Sequence, residues 1–136
     1  MMPDTIVTIE DIPVMYVEGE KGTPIGEQAP EAFRRLESKL SSLQGRKFYG
    51  VVFAGCAYRA CVAIAESDDP SSLPFPTWVI PGGRYARRKI QNWEEHIDLI
   101  GPAFQSLRQE NEIDPDRPDI EFYRSQRELL VMVPVK

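Results

Sequence analysis

The chain has 136 residues, 42% of them apolar and 27% charged, a length that suits one domain with a sizeable core and a composition ordinary for a globular protein. Its formal charge is -5, from 21 acidic against 16 basic residues, and no long basic cluster occurs, which argues against direct binding of nucleic acid. No segment reaches the roughly 18 apolar residues of a membrane span, and Met1-Met2-Pro3-Asp4 lacks the basic and apolar regions of a secretion signal, so a cytoplasmic protein with no membrane contact is expected.

Thr5 to Glu18 is rich in Val, Ile, Thr and Tyr and predicts one strand, with Pro13 at a bulge or edge position. Gly22 to Gln28 reads as a loop. Pro30 suits a first helical position, and Phe33, Leu36, Leu40 and Leu43 follow at helical spacing until Gly45, which tolerates the left-handed conformation that ends a helix. Lys47 to Ala54 and Tyr58 to Glu66 predict a hairpin across Gly55-Cys56-Ala57. Asp68 to Pro76 is a turn-rich connector.

Thr77 to Gln91 reads as extended chain interrupted at Pro81-Gly82-Gly83. Asn92 to Ile100 predicts a helix with Trp93, Ile97 and Ile100 on one side, reset at Gly101-Pro102 and restarted with Phe104 and Leu107 inward. An acidic loop follows to Pro118, and Ile120 to Ser125 with Glu128 to Val135 predicts a closing hairpin. In the first of these strands Ile120 and Phe122 would form the core face, while Glu121 and Tyr123 look the other way.

Cys56 and Cys61 lie in strand-like sequence with no CxxC pair, and His96 is the single histidine, so buried free thiols are expected rather than a zinc or redox site. No serine elbow, HExxH pattern or glycine-rich phosphate loop occurs, and no metal, nucleotide or organic cofactor is indicated.

Both halves run strand, helix, strand, strand. Ile12-Pro13 with Tyr16 is echoed by Ile80-Pro81 with Tyr85, and Pro30, Ala32-Phe33 and Leu36 by Pro102, Ala103-Phe104 and Leu107, about 70 residues apart, the spacing of a duplicated domain-sized unit. The expected fold is therefore α+β: tandem β-α-β-β repeats, about residues 5–67 and 77–136, with antiparallel sheet, helices on one face and a ligand groove between the repeats.

Ile80-Pro81-Gly82-Gly83-Arg84-Tyr85-Ala86, the Glu121-Phe122-Tyr123 triplet and the final Met132-Val133-Pro134-Val135 together resemble the gyrase-inhibitory-protein-like (GyrI-like) small-molecule-binding family, whose domain is also the effector-binding module of multidrug-responsive transcription activators. The resemblance covers nearly the whole chain. It implies that Glu121 is the central acidic group of a pocket, and Tyr85 matches the tyrosine of the family's IPxGxY segment. Tyr123 shares the face of Glu121, and Tyr16, Tyr49, Tyr58 and Trp78 are candidate walls by strand position alone. The transcriptional members carry an additional helix-turn-helix domain, for which these 136 residues leave no room, so a stand-alone module is expected.

A carboxylate among aromatic rings suits a lipophilic cation, since cation–π contacts contribute about 0.5–2 kcal/mol each. Two alternatives come with the resemblance. Stand-alone members are implicated in hydrolysing cyclopropane-bearing electrophiles, for which Glu121 and Tyr123 would be catalytic. The gyrase-inhibiting members suggest a protein partner, gyrase or a separate regulator, docked on acidic Glu94-Glu95 or Glu110 to Asp116, although such charge runs are also ordinary solvated surface. The basic run Arg84, Arg87, Arg88 and Lys89 reads as a charged strand edge rather than a phosphate site.

Overall fold

The structure, a computed structural model, describes residues 4–55 and 57–136. In chain order its elements are β1 (Thr5–Ile9), β2 (Ile12–Glu18), α1 (Ile25–Glu37), β3 (Phe48–Phe53), β4 (Ala57–Ala63), β5 (Thr77–Ile80), β6 (Gly83–Gln91), α2 (Ile100–Glu110), β7 (Asp119–Tyr123) and β8 (Glu128–Pro134), with two 3-10 turns, Trp93–Glu95 and Ile97–Leu99, ahead of α2. This is the α+β, all-antiparallel arrangement expected from the sequence. No helix among the described residues is long and apolar enough to cross a membrane. Cys56, one of the two expected buried thiols, lies outside the described residues; Cys61 is buried, and burial pushes its thiol up to about 12, far from reactive at neutral pH.

Two compact units divide the chain, one of residues 4–11 with 81–136 and the other of residues 12–80. In the first, strands run β1-β6-β8-β7, and α2 lays Ala103 and Leu107 on Ala86, Ile90, Leu129, Val131 and Val133. In the second, strands run β3-β4-β2-β5, and α1 lays Ala32 and Leu36 on Met15, Val17, Tyr58, Ala60 and Val62. Leu36 and Leu107 are both fully buried, and removing such a side chain from water contributes about 1.5–3 kcal/mol.

The expected single strand from Thr5 to Glu18 is two strands belonging to different units. β1 pairs with β6, whereas β2 pairs with β4 and β5. The break falls at Glu10 and Asp11, where the Asp11 carboxylate accepts the Gly82 amide at 2.7 Å. Pro13 sits just beyond the β2–β4 ladder, which begins at Val14, so its missing N–H costs no bond there. The expected interruption at Pro81-Gly82-Gly83 is present, between β5 and β6.

The helices differ most from expectation. α1 begins at Ile25, inside the expected loop, and Pro30 lies within it. The donor that Pro30 lacks would have addressed the carbonyl of exposed Gly26, which water can satisfy. α1 stops at Glu37, where the Ser38 hydroxyl donates to the Arg35 carbonyl at 2.7 Å, the competition with backbone bonding that disfavours serine within helices. Leu40 and Leu43 thus lie past the helix, Leu43 is exposed, and Gly45 serves a later turn. The expected helix from Asn92 is only the pair of 3-10 turns, entered through Asn92 in the left-handed region at φ 53°, and Ile97 is 61% exposed. Pro102 is the third residue of α2 and does not interrupt it, because first-turn amides have no intrahelical acceptor to lose.

One ion pair braces the second unit. Arg46 donates to both oxygens of Asp68 at 2.7 Å each, and Asp68 also accepts the Ala65 amide at 2.8 Å. These bonds, Arg46 first, hold the Asp68 carboxyl below its ordinary 3.8. A depressed value means stability present above 3.8 and lost as pH falls through the lower folded value. Asp68→Asn is therefore expected to destabilise the chain at neutral pH and progressively less below 3.8, as read by urea denaturation; a cost constant with pH would remove this account.

Candidate functional site

Strand β7 carries alternating side chains, and its register with β8 sets their faces. Glu121 lies opposite Val131 and Tyr123 opposite Leu129, residues of the core on which α2 packs, and directly opposed antiparallel residues share a face. The helix therefore covers Glu121 and Tyr123, not Ile120 and Phe122. This reverses the expected orientation of the sheet, because alternation distinguishes the two faces of a strand without saying which one a helix will cover.

Glu121 is 5% exposed. The Tyr123 hydroxyl donates to its Oε1 at 2.9 Å, and the Trp93 ring stands edge-on to Tyr123 with centroids 5.1 Å apart. Trp93 is fixed by its indole N–H donating to the Ser125 carbonyl at 3.1 Å. A buried carboxylate, a phenol and an indole thus form a continuous cluster. The sequence places Trp93 on one side of an expected helix with Ile97 and Ile100, and nothing in that spacing signals its contact with Tyr123.

Asp119 shares the face of Glu121, two residues away, and ion-pairs with Arg108 of α2. Burial raises its carboxyl to about 6, outweighing the opposing effect of Arg108. Because the folded value is raised, this group's contribution to stability is full below 3.8 and lost as pH rises through about 6.

Tyr85 is not part of this cluster. It lies opposite Pro134 in the β6–β8 register, on the face away from α2, fully buried. Its hydroxyl donates to the Pro81 carbonyl at 2.6 Å, and the Arg117 guanidinium lies 4.9 Å from its ring centroid. Arg117 itself donates to Val135 and Arg84 carbonyls and pairs with Asp114, so Tyr85 belongs to a knot fastening the loop before β7. Burial pushes its phenol above the ordinary value.

The other aromatic candidates belong to the second unit. Tyr58 faces α1, edge-on to Phe33 at 6.3 Å. Tyr49 and Tyr16 both lie opposite Cys61, and Trp78 opposite Val14, all on the face away from α1; burial raises the Tyr49 phenol. Over this face stands a cation the sequence reading did not anticipate. The Arg59 guanidinium carbon is 4.1 Å from the Tyr16 centroid, 4.9 Å from that of Trp78 and 5.1 Å from that of Phe53. Phe53 and Trp78 close over it with centroids 5.5 Å apart. Arg59 is the one charged residue in β4, a signal that was present in the sequence.

The charged segments are largely engaged within the chain. Glu110 contacts Arg88, Asp114 pairs with Arg117, and Lys136 lies 3.7 Å from Glu112. Of the basic run, Arg88 holds Asp4 through two bonds of 2.7 Å and Lys89 lies 3.7 Å from Glu128.

No protein family matches the chain at the sequence level, and no curated protein does either. Its fold, however, is shared with solved structures. An integron cassette protein from the mobile metagenome of Vibrio cholerae superposes with a TM-score of 0.69 at 14% identity, covering 98% of this chain and 95% of that one. The protein SAV2435, solved bound to tetraphenylphosphonium, gives a TM-score of 0.62 at 10% identity over 99% and 94% of the two chains. A hydrolase from Listeria innocua gives 0.58 at 13% identity over 98% and 91%. At these identities the likeness is one of fold.

Proposed function

We propose that this chain is a GyrI-like binding protein for lipophilic organic cations, with Glu121 as the counter-charge. The observation that carries the reading is the burial of Glu121 at 5% exposure, bonded to Tyr123, whose ring Trp93 meets edge-on. A carboxylate out of bulk water beside aromatic rings attracts a cation that brings apolar surface, its charge meeting Glu121 while its body stacks on the rings. Trp93 stands on short 3-10 turns rather than a continuous helix, a mounting that can yield as a ligand enters. The tetraphenylphosphonium held by SAV2435, a neighbour in fold, supplies the ligand class to try first.

Calorimetric titration tests this directly. Tetraphenylphosphonium should bind saturably and at least about tenfold tighter than neutral triphenylphosphine oxide. Equal affinities for the two would end the electrostatic reading.

A second reading is hydrolysis of strained electrophiles, with Glu121 taking a proton from water and Tyr123 steadying the carboxylate. It rests on their 2.9 Å hydrogen bond and on the hydrolase among the fold neighbours. Multiple turnovers of a cyclopropane-bearing electrophile would favour it, and stoichiometric protection would favour binding.

A further inference from the structure

The second unit holds a different arrangement with the opposite charge. Arg59 projects from β4 into a box made by Tyr16 of β2, Phe53 of β3 and Trp78 of β5. An aromatic box is what an organic cation would seek, and here the chain fills it with its own guanidinium. Rings attract a guanidinium through its charge, and its N–H donors remain to be met by polar partners. Nη2 of Arg59 donates to Glu18 Oε1 at 3.2 Å, longer than a strong charge-assisted bond. Glu18 is loosely held, with 57% of its side chain exposed, against 22% for Arg59. A cavity of about 530 Å3 opens beside Glu18, lined in part by Tyr16, Glu18, Arg35, Lys39 and Phe75, so Glu18 stands between Arg59 and a space that two further cations border.

We propose that the ring-held Arg59 is an anchor for the carboxylate of a flat aromatic acid, with Glu18 as a placeholder that the ligand displaces. The three rings crowd the guanidinium in advance, so little side-chain freedom remains to be lost on binding. A ligand carboxylate can take two parallel N–H donors where Glu18 takes one. Its aromatic body enters the cavity beside Tyr16, and Arg35 and Lys39 on the cavity wall favour the negative charge at longer range.

Calorimetry with 2-naphthoate and its neutral analogue 2-naphthamide separates this site from mere apolar adsorption. Wild type should bind the acid at least about tenfold tighter than the amide. Arg59→Gln should erase that preference. Glu18→Gln, made at a mostly exposed side chain, should widen it severalfold by removing the competitor, and this arm decides alone if the Arg59 variant does not fold. Equal binding of acid and amide by wild type, a preference that survives in Arg59→Gln, or one that narrows in Glu18→Gln overturns the proposal.

Discussion

Glu121→Gln is expected to weaken tetraphenylphosphonium binding about 10- to 100-fold while changing the affinity of neutral triphenylphosphine oxide by less than about twofold. The substitution keeps the size of the side chain and an oxygen able to accept the Tyr123 hydroxyl at the position now 2.9 Å away, while the negative charge is removed. Because the group is only 5% exposed, added salt should screen the wild-type interaction weakly. Equal losses for cation and neutral ligand would assign the effect to packing.

The second large effect concerns the backbone. Gly82→Ala should lower stability by about 1–3 kcal/mol, a fall in melting temperature of roughly 5–15 °C. A Cβ at Gly82 would come within 2.6 Å of the Ile9 carbonyl oxygen, 2.7 Å of the Glu10 carbonyl carbon and 2.8 Å of the Asp11 nitrogen. These are main-chain atoms and cannot swing aside. Ile9 is held in the β1–β6 ladder opposite Gly83, so relief requires dislodging β1. Gly26→Ala provides the contrast: nothing lies within 4 Å of its Cβ position, and in the first turn of α1 alanine should be neutral or stabilising by up to about 1 kcal/mol. Thermal melts of the two variants side by side read the difference, and a Gly82→Ala protein as stable as wild type would refute the close approach.

Strands were more legible than helices for a physical reason. The hairpins β3–β4 and β7–β8 carry dense β-branched and aromatic runs separated by turn residues, a local signal that tertiary packing reinforces. The limits of α1 and α2 instead depended on where Pro30, Ser38 and Pro102 fell relative to a helical turn, and a proline marks a start only when nothing upstream already supplies one. At the site, Glu121 and Tyr123 could be paired from strand alternation alone. Trp93 and Arg59 could not, because each meets its partners across strands or loops distant in sequence. Tyr85 resembled a site tyrosine by motif, yet the register turns it to the far face from Glu121. Motif spacing carries no information about that orientation.

The crossing of the chain at Asp11 and again at Pro81 bears on how the protein can be cut. Cleavage in the Asp68–Pro76 connector, the seam that composition suggests, would leave the N-terminal fragment holding β1 without β6 and β2 without β5, each deprived of a ladder it makes in the whole chain. Neither fragment should fold unaided. Mixed together they should reconstitute, each carrying the strand the other lacks, so a nick there is survivable while loss of either piece is not.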